Sequence, residues 1–203
     1  MDQTRRDFLA KAFSFSLATA GGSLFTGRSA FASQAKTAFS DLASYDAIGM
    51  AELIRKKQVS PLELIDDVIR RIERINPKIN AVLTKNFDIE RARDRARAGA
   101  GDGMFAGAPV MLKNLTRYKD ARIDSGSRLF AQIAAKMTNP GQGSSPLVEA
   151  IEKAGMIVTG ITNSPELGLL ETTEPVLHGP TRNPWNPAFT AGGSSGGTAA
   201  AIA

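Results

Sequence analysis

Two short apolar runs constrain the fold most. Ala108-Pro109-Val110-Met111-Leu112-Lys113 and Met156-Ile157-Val158-Thr159-Gly160 each read as a buried strand, the first ending in a lysine. Segments of helical period surround them. Asp46 opens one in which Ile48, Met50, Leu53 and Ile54 recur at helical spacing. Ser60-Pro61-Leu62-Glu63 supplies an N-cap, a proline at the first helical position and a capping-box glutamate. The helix that follows carries Leu64, Ile65, Val68, Ile69, Ile72 and Ile75 on one face, and Asn76-Pro77 is expected to stop it. Ala81 to Thr84 reads as a further strand and residues 88–98 as a charged surface helix. Ser145-Pro146 starts a helix that runs to Ala154-Gly155. Strands alternating with helices predict an α/β protein with a largely buried sheet.

The chain of 203 residues is long enough for one domain with a real core, and 42% apolar with 22% charged residues is ordinary for a globular protein. Its net charge of +5 falls partly in residues 1–32, where four basic residues face two acidic ones, leaving 21 basic and 18 acidic residues in the remainder. That excess is too small and too evenly spread to imply a nucleic-acid partner. The run Arg91, Arg93, Arg95, Arg97 reads as a solvated helix face. There is no cysteine and one histidine, His178. Disulfides, thiol nucleophiles and multi-histidine metal sites are thereby excluded, and few bases remain for chemistry near neutral pH. His178 itself is assigned to loop structure.

Residues 1–32 read as an export signal. Thr4-Arg5-Arg6-Asp7-Phe8-Leu9 places paired arginines before a mildly apolar stretch, which ends in the small-residue site Ala30-Phe31-Ala32. The paired arginines resemble the twin-arginine class, implying a periplasmic or secreted protein cleaved after Ala32. Ser14, Ser16, Thr19, Gly21, Gly22 and Ser23 make the stretch too polar for a stable membrane anchor. Residues 33–203 are then the mature domain.

From Thr162 to Gly197 the chain is rich in turns and has no long periodic segment, which points to a site. Its sharpest feature is Gly192-Gly193-Ser194-Ser195-Gly196-Gly197, where glycines allow a ligand to approach the backbone closely. Two readings are open: a site that aims serine hydroxyls into a cleft, or a flexible loop. Lys113 also has two readings. At the end of a buried strand it can be a desolvated base, or its stem can be buried with the amine in water.

Taken in order, Lys113, then Thr162-Asn163-Ser164-Pro165-Glu166-Leu167-Gly168, then Arg182-Asn183-Pro184-Trp185-Asn186-Pro187, then the glycine–serine run resemble the amidase signature family. The resemblance covers nearly all of residues 40–203. Leu169-Leu170-Glu171-Thr172-Thr173-Glu174-Pro175 before Gly179-Pro180-Thr181-Arg182 looks like the 6-aminohexanoate-cyclic-dimer hydrolase type. The resemblance implies an α/β fold with a mixed central sheet covered by helices, and an amide hydrolase without cofactor or metal. Its substrate would be a small linear or cyclic amide, and homodimer formation by a complete chain is left open. Carried over by position, Lys113 is the base and Ser194 the bridging serine, preceded by a cis peptide bond. Gly192, Gly193, Ser195, Gly196 and Gly197 shape the turn, and Ser127 supports Lys113 or the relay by hydrogen bonding. The proton would pass from a nucleophilic serine through Ser194 to Lys113, with lysine in the role that histidine more often fills.

Two departures accompany the resemblance. Asn114 stands where an aspartate commonly follows the lysine. The nucleophile and the oxyanion-hole donors belong to a later glycine–serine turn, and Ser195 matches the neighbour of the bridging serine, not the nucleophile. The expectation is therefore a fragment whose 203 residues neither catalyse nor fold stably alone. A competing reading is a non-catalytic protein that holds a small anion at the glycine-rich turn, although Gly197 is followed by Thr198 and alanines, not by the lysine of a phosphate loop.

Overall fold

A computed structural model describes residues 39–136 and 143–203, all within the compact unit Ala38–Ala203. The expected export signal lies outside the described residues. After a 3-10 helix, Phe39–Ser44, come α1 (Ala47–Arg55), α2 (Pro61–Ile79) and α3 (Ile89–Arg97). Strand β1 (Pro109–Lys113) leads to α4 (Arg128–Lys136) and α5 (Pro146–Lys153). Strand β2 (Ile157–Thr162), a 3-10 turn Glu166–Gly168 and α6 (Gly196–Ile202) complete the order.

The starts of α1 and α2 follow their sequence signals. Asp46 caps α1 by accepting from the Gly49 N–H at 2.8 Å. Ser60 and Glu63 form the full capping box of α2, with the Glu63 carboxylate taking the Ser60 N–H at 2.9 Å. α2 buries Leu64, Ile65, Val68 and Ile69, as its apolar period requires. It does not stop at Asn76. Pro77 forfeits one N–H in the last turn, and the helix continues to Ile79 before Asn80 ends it at φ 50°.

β1 and β2 pair in parallel, with Lys113 opposite Thr162. An irregularity between Val110 and Met111 leaves Thr159 over, and its hydroxyl donates to the Val110 carbonyl at 3.1 Å. The expected strand at Ala81–Thr84 is reduced to an antiparallel bridge, Val82 to Thr162. The reason is local. The Asn76 side chain accepts from the Val82 N–H at 2.7 Å and donates to its carbonyl at 2.8 Å, so that pair of backbone groups needs no neighbouring strand. Ala81 and Leu83 bond β2 and the residue after it, through Asn163 N–H to Ala81 O and Leu83 N–H to Ile161 O. Parallel strands with an antiparallel contact give the mixed α/β arrangement.

The main core joins Ile65 and Ile69 of α2, Ala92 and Ala96 of α3, Leu112 of β1, Val148 of α5 and Ile157, Val158 and Ile161 of β2. The arginines of α3 lie outside it and are paired: Arg91 with Asp120, Arg93 with Asp66, Arg95 with Glu152 and Arg97 with Asp94. Among the described residues no helix is long and apolar enough to cross a membrane.

Candidate active site

The sheet ends where the site begins. Thr162, buried opposite Lys113, shares a hydrogen bond of 2.8 Å with the Thr198 hydroxyl of α6 and donates to the Leu112 carbonyl at 3.3 Å. One residue on, the Asn163 carbonyl accepts from the Gly197 N–H at 3.2 Å. A Cβ on Gly197 would come within 2.4 Å of Asn163 N and 2.7 Å of Ala81 O, so only glycine permits this approach of α6 to the sheet. These contacts hang the glycine–serine turn over the end of β1. There the Lys113 Nζ donates to the Ser194 Oγ at 2.7 Å.

The turn is clasped from the other side by Thr173, which is buried. Its hydroxyl donates to the Gly192 carbonyl at 2.8 Å and accepts from the Gly196 N–H at 3.0 Å. The peptide bond between Gly193 and Ser194 is cis, and Gly192 has φ 74°. A Cβ on Gly193 would meet the backbone of Glu171 and Thr172 at 2.9 Å, so the turn lies flat against that segment. The Arg182–Pro187 motif forms the approach. Asn183 and Asn186 accept from the N–H groups of Trp185 and Ala188 at 2.9 and 3.1 Å, and Arg182 bridges to Thr190 just before the glycines.

Lys113 is half-buried, and burial pushes its amine below the ordinary lysine range, since a charge there is poorly solvated. The residue after it, Asn114, is fully buried and donates to Asp124 at 2.7 Å. Asp124 also receives Asn86 at 2.9 Å and His178 Nε2 at 2.8 Å. Burial alone would raise the Asp124 carboxyl, but the hydrogen bonds from His178, Asn114 and Asn86 outweigh it and hold the group well below the usual carboxylate range. Among the described residues no group of three or more histidine, aspartate or glutamate side chains converges as a metal site would require.

The structure thus brings together Lys113, Ser194 and the four glycines. Ser195 lies exposed at the start of α6 and makes no side-chain cap. Ser127 is buried, and its hydroxyl accepts from the Phe130 N–H at 3.5 Å, so it serves the first turn of α4 instead of bonding Lys113. Its N–H donates to the Asp124 carbonyl at 3.0 Å. Sequence reasoning overlooked Asp124 and Thr173. Thr173 lies in a run quoted for the resemblance, but no local pattern gives either residue its role. The side-chain partners of Asp124 are 10 to 54 positions away apart from the neighbouring Gly126, and those of Thr173 are 19 and 23 away.

Residues 63–203 match the model of the family described as Amidase. The chain belongs to this amidase family. It is 38% identical over 158 residues to the 6-aminohexanoate-cyclic-dimer hydrolase of Paenarthrobacter ureafaciens, an alignment covering 78% of this chain and 31% of that protein. It is 34% identical over 164 residues to the indoleacetamide hydrolase of Bradyrhizobium diazoefficiens, covering 78% and 30%. A solved structure of 6-aminohexanoate cyclic dimer hydrolase complexed with substrate superposes with a TM-score of 0.70 at 34% identity, over 80% of this chain and 33% of that one. This amidase-family chain therefore spans about a third of the length of the curated relatives it matches.

Proposed function

We propose that the protein hydrolyses small linear or cyclic amides through a Ser–Ser–Lys relay in which Lys113 is the base and Ser194 the bridge. The observation that carries this reading is the 2.7 Å contact between the two side chains at the end of the sheet. Burial of Lys113 favours its neutral amine, which is the form a base needs. Neutral Lys113 accepts a proton from Ser194 as Ser194 takes one from the nucleophilic serine, which the family resemblance assigns to a later glycine–serine turn than Gly192–Gly197. That serine attacks the amide carbonyl, and the tetrahedral intermediate collapses to an acyl-enzyme. The proton held by Lys113 leaves with the amine, and water then releases the acid by the reverse relay. Relatives named for hydrolysis of 6-aminohexanoate cyclic dimer and of indoleacetamide support the substrate class. Leu169 and Leu170 are exposed in the segment whose backbone lies against Gly193, which suits apolar chains flanking the amide. On the strength of Arg5, Arg6 and the apolar stretch after them, we place this activity outside the cytoplasm.

The test is serine-directed labelling of the native protein with a fluorophosphonate, alongside hydrolysis of cyclic, linear and arylacetic amides. Labelling and turnover that both vanish in Lys113→Ala are expected. A protein that takes no label yet binds inorganic phosphate would contradict the enzyme reading and favour anion binding at the glycine-rich turn.

A further inference from the structure

Asp124 takes no part in the proton relay, yet it joins four separate segments of the chain. It is 1% exposed. Its Oδ1 accepts from Asn114 Nδ2 at 2.7 Å, the Gly126 N–H at 3.1 Å and His178 Nε2 at 2.8 Å, while Oδ2 accepts from Asn86 Nδ2 at 2.9 Å. An ionised carboxylate has no proton to give, so both oxygens act only as acceptors and the His178 Nε2 is the donor.

Two of these bonds lead to Lys113. Asn114 follows the lysine directly, so its bond to Asp124 fixes the end of β1. The bond to Gly126 folds the turn 124–127, and the Ser125 carbonyl in that turn accepts from the Leu167 N–H at 2.7 Å. A Cβ on Gly126 would come within 2.9 Å of the Ser164 carbonyl oxygen, so the two turns lie flat against each other. Gly168, next in line, packs on the lysine. A Cβ placed there would be 2.6 Å from Leu115 Cδ1 and 4.0 Å from Lys113 Nζ. The turn Leu167–Gly168 is thus one wall of the lysine site, and Asp124 holds that wall from behind. His178 completes the frame by tying the loop that follows to the same carboxylate, and its own carbonyl accepts from Asn80 at 2.9 Å.

We propose that Asp124, held by Asn114 and His178, is the positioning residue for Lys113: it fixes the strand end that carries the lysine and the turn that sets Gly168 against it. This rests on the relay reading, since it gives the placement of the amine a purpose. Asn114 in place of the aspartate that commonly follows the lysine fits the same design. The carboxylate stands across from the strand end, where it organises the site without lying beside the amine in sequence.

The experiment is competitive acetylation of the folded chain with trace acetic anhydride across a pH series, read by mass spectrometry of the Lys113 peptide. Asp124→Ala, His178→Ala and His178→Gln are compared with the unsubstituted protein, with circular dichroism and a thermal melt confirming the fold of each. In both alanine variants Lys113 is expected to titrate higher, towards the ordinary lysine range, because an amine no longer held in place reaches water. His178→Gln keeps a donor for Asp124 and is expected to restore the unsubstituted profile. The sign is informative, since loss of a nearby negative charge alone would move the amine downwards. An unchanged or lowered Lys113 titration in a folded His178→Ala or Asp124→Ala variant overturns the positioning role while leaving the relay intact. A Lys113 that titrates with the other lysines in the unsubstituted protein overturns the relay reading, and the positioning role with it.

Discussion

Lys113 and Ser194 meet at 2.7 Å although 81 positions separate them in the chain. Neither residue creates that proximity. Lys113 is set by its pairing opposite Thr162, and Ser194 by α6, which Thr198 and Gly197 fasten to Thr162 and Asn163. The pair is therefore only as well placed as the seam between α6 and the sheet.

The first prediction concerns that seam. In Gly197→Ala the new methyl would face Asn163 N at 2.4 Å, Asn163 O at 2.5 Å and Ala81 O at 2.7 Å, all backbone atoms that have little room to yield. Overpacking of this kind costs about 1–3 kcal/mol. A lowered denaturation midpoint in urea is expected, with Gly143→Ala as a neutral control because its nearest neighbour is a flexible side-chain oxygen at 3.8 Å.

A second prediction removes the clasp on the glycine–serine turn. Thr173→Val keeps the shape but strips the hydroxyl that serves Gly192 O and Gly196 N. The buried Gly196 N–H then lacks a partner, at a cost of about 1–3 kcal/mol. Equilibrium unfolding should show that loss, while Thr173→Ser should recover most of it.

Asp124 should dominate part of the acid response. Its folded-state carboxyl is held well below the ordinary value of 3.8, so the charged form stabilises the native state. That contribution is complete above the unfolded value and drains away as the pH falls through it towards the folded one. Between neutral pH and about pH 2, stability of the unsubstituted chain should therefore fall more steeply than that of Asp124→Asn. Parallel acid-unfolding curves for the two would contradict this.

Much of the scaffold was legible in the residues. Ser60, Pro61 and Glu63 announce the start of α2, because capping is satisfied within four residues, and the period of Leu64 to Ile69 states which face is buried. Lys113 and the glycine–serine run could be ordered along the chain in the same way. What was hidden depends on distant partners. The extended look of Ala81–Thr84 is overruled by Asn76, whose amide satisfies the Val82 backbone. Helix α4 carries its apolar residues Leu129, Phe130 and Ile133 at helical spacing, but those side chains are exposed while Ala131 is buried. His178 looked like a loop residue, and it is one. Its ring, however, spans 54 positions to reach Asp124, a contact no local pattern encodes.

Export carries its own expectation. Replacing Arg5 and Arg6 together by lysine keeps the charge but removes the paired-arginine feature, and the protein should then accumulate in the cytoplasmic fraction. Undiminished export of that variant would contradict a twin-arginine route.

The most direct test of the relay is a double-mutant cycle on amide turnover by the native protein, with Lys113→Ala, Ser194→Ala and the two combined. Members of one proton relay fail as a unit. Each single substitution should therefore lower kcat by about 10³-fold or more, with the double little worse than either. A Lys113→Ala enzyme within tenfold of the unsubstituted rate, or losses that multiply in the double variant, would contradict a shared Lys113–Ser194 relay.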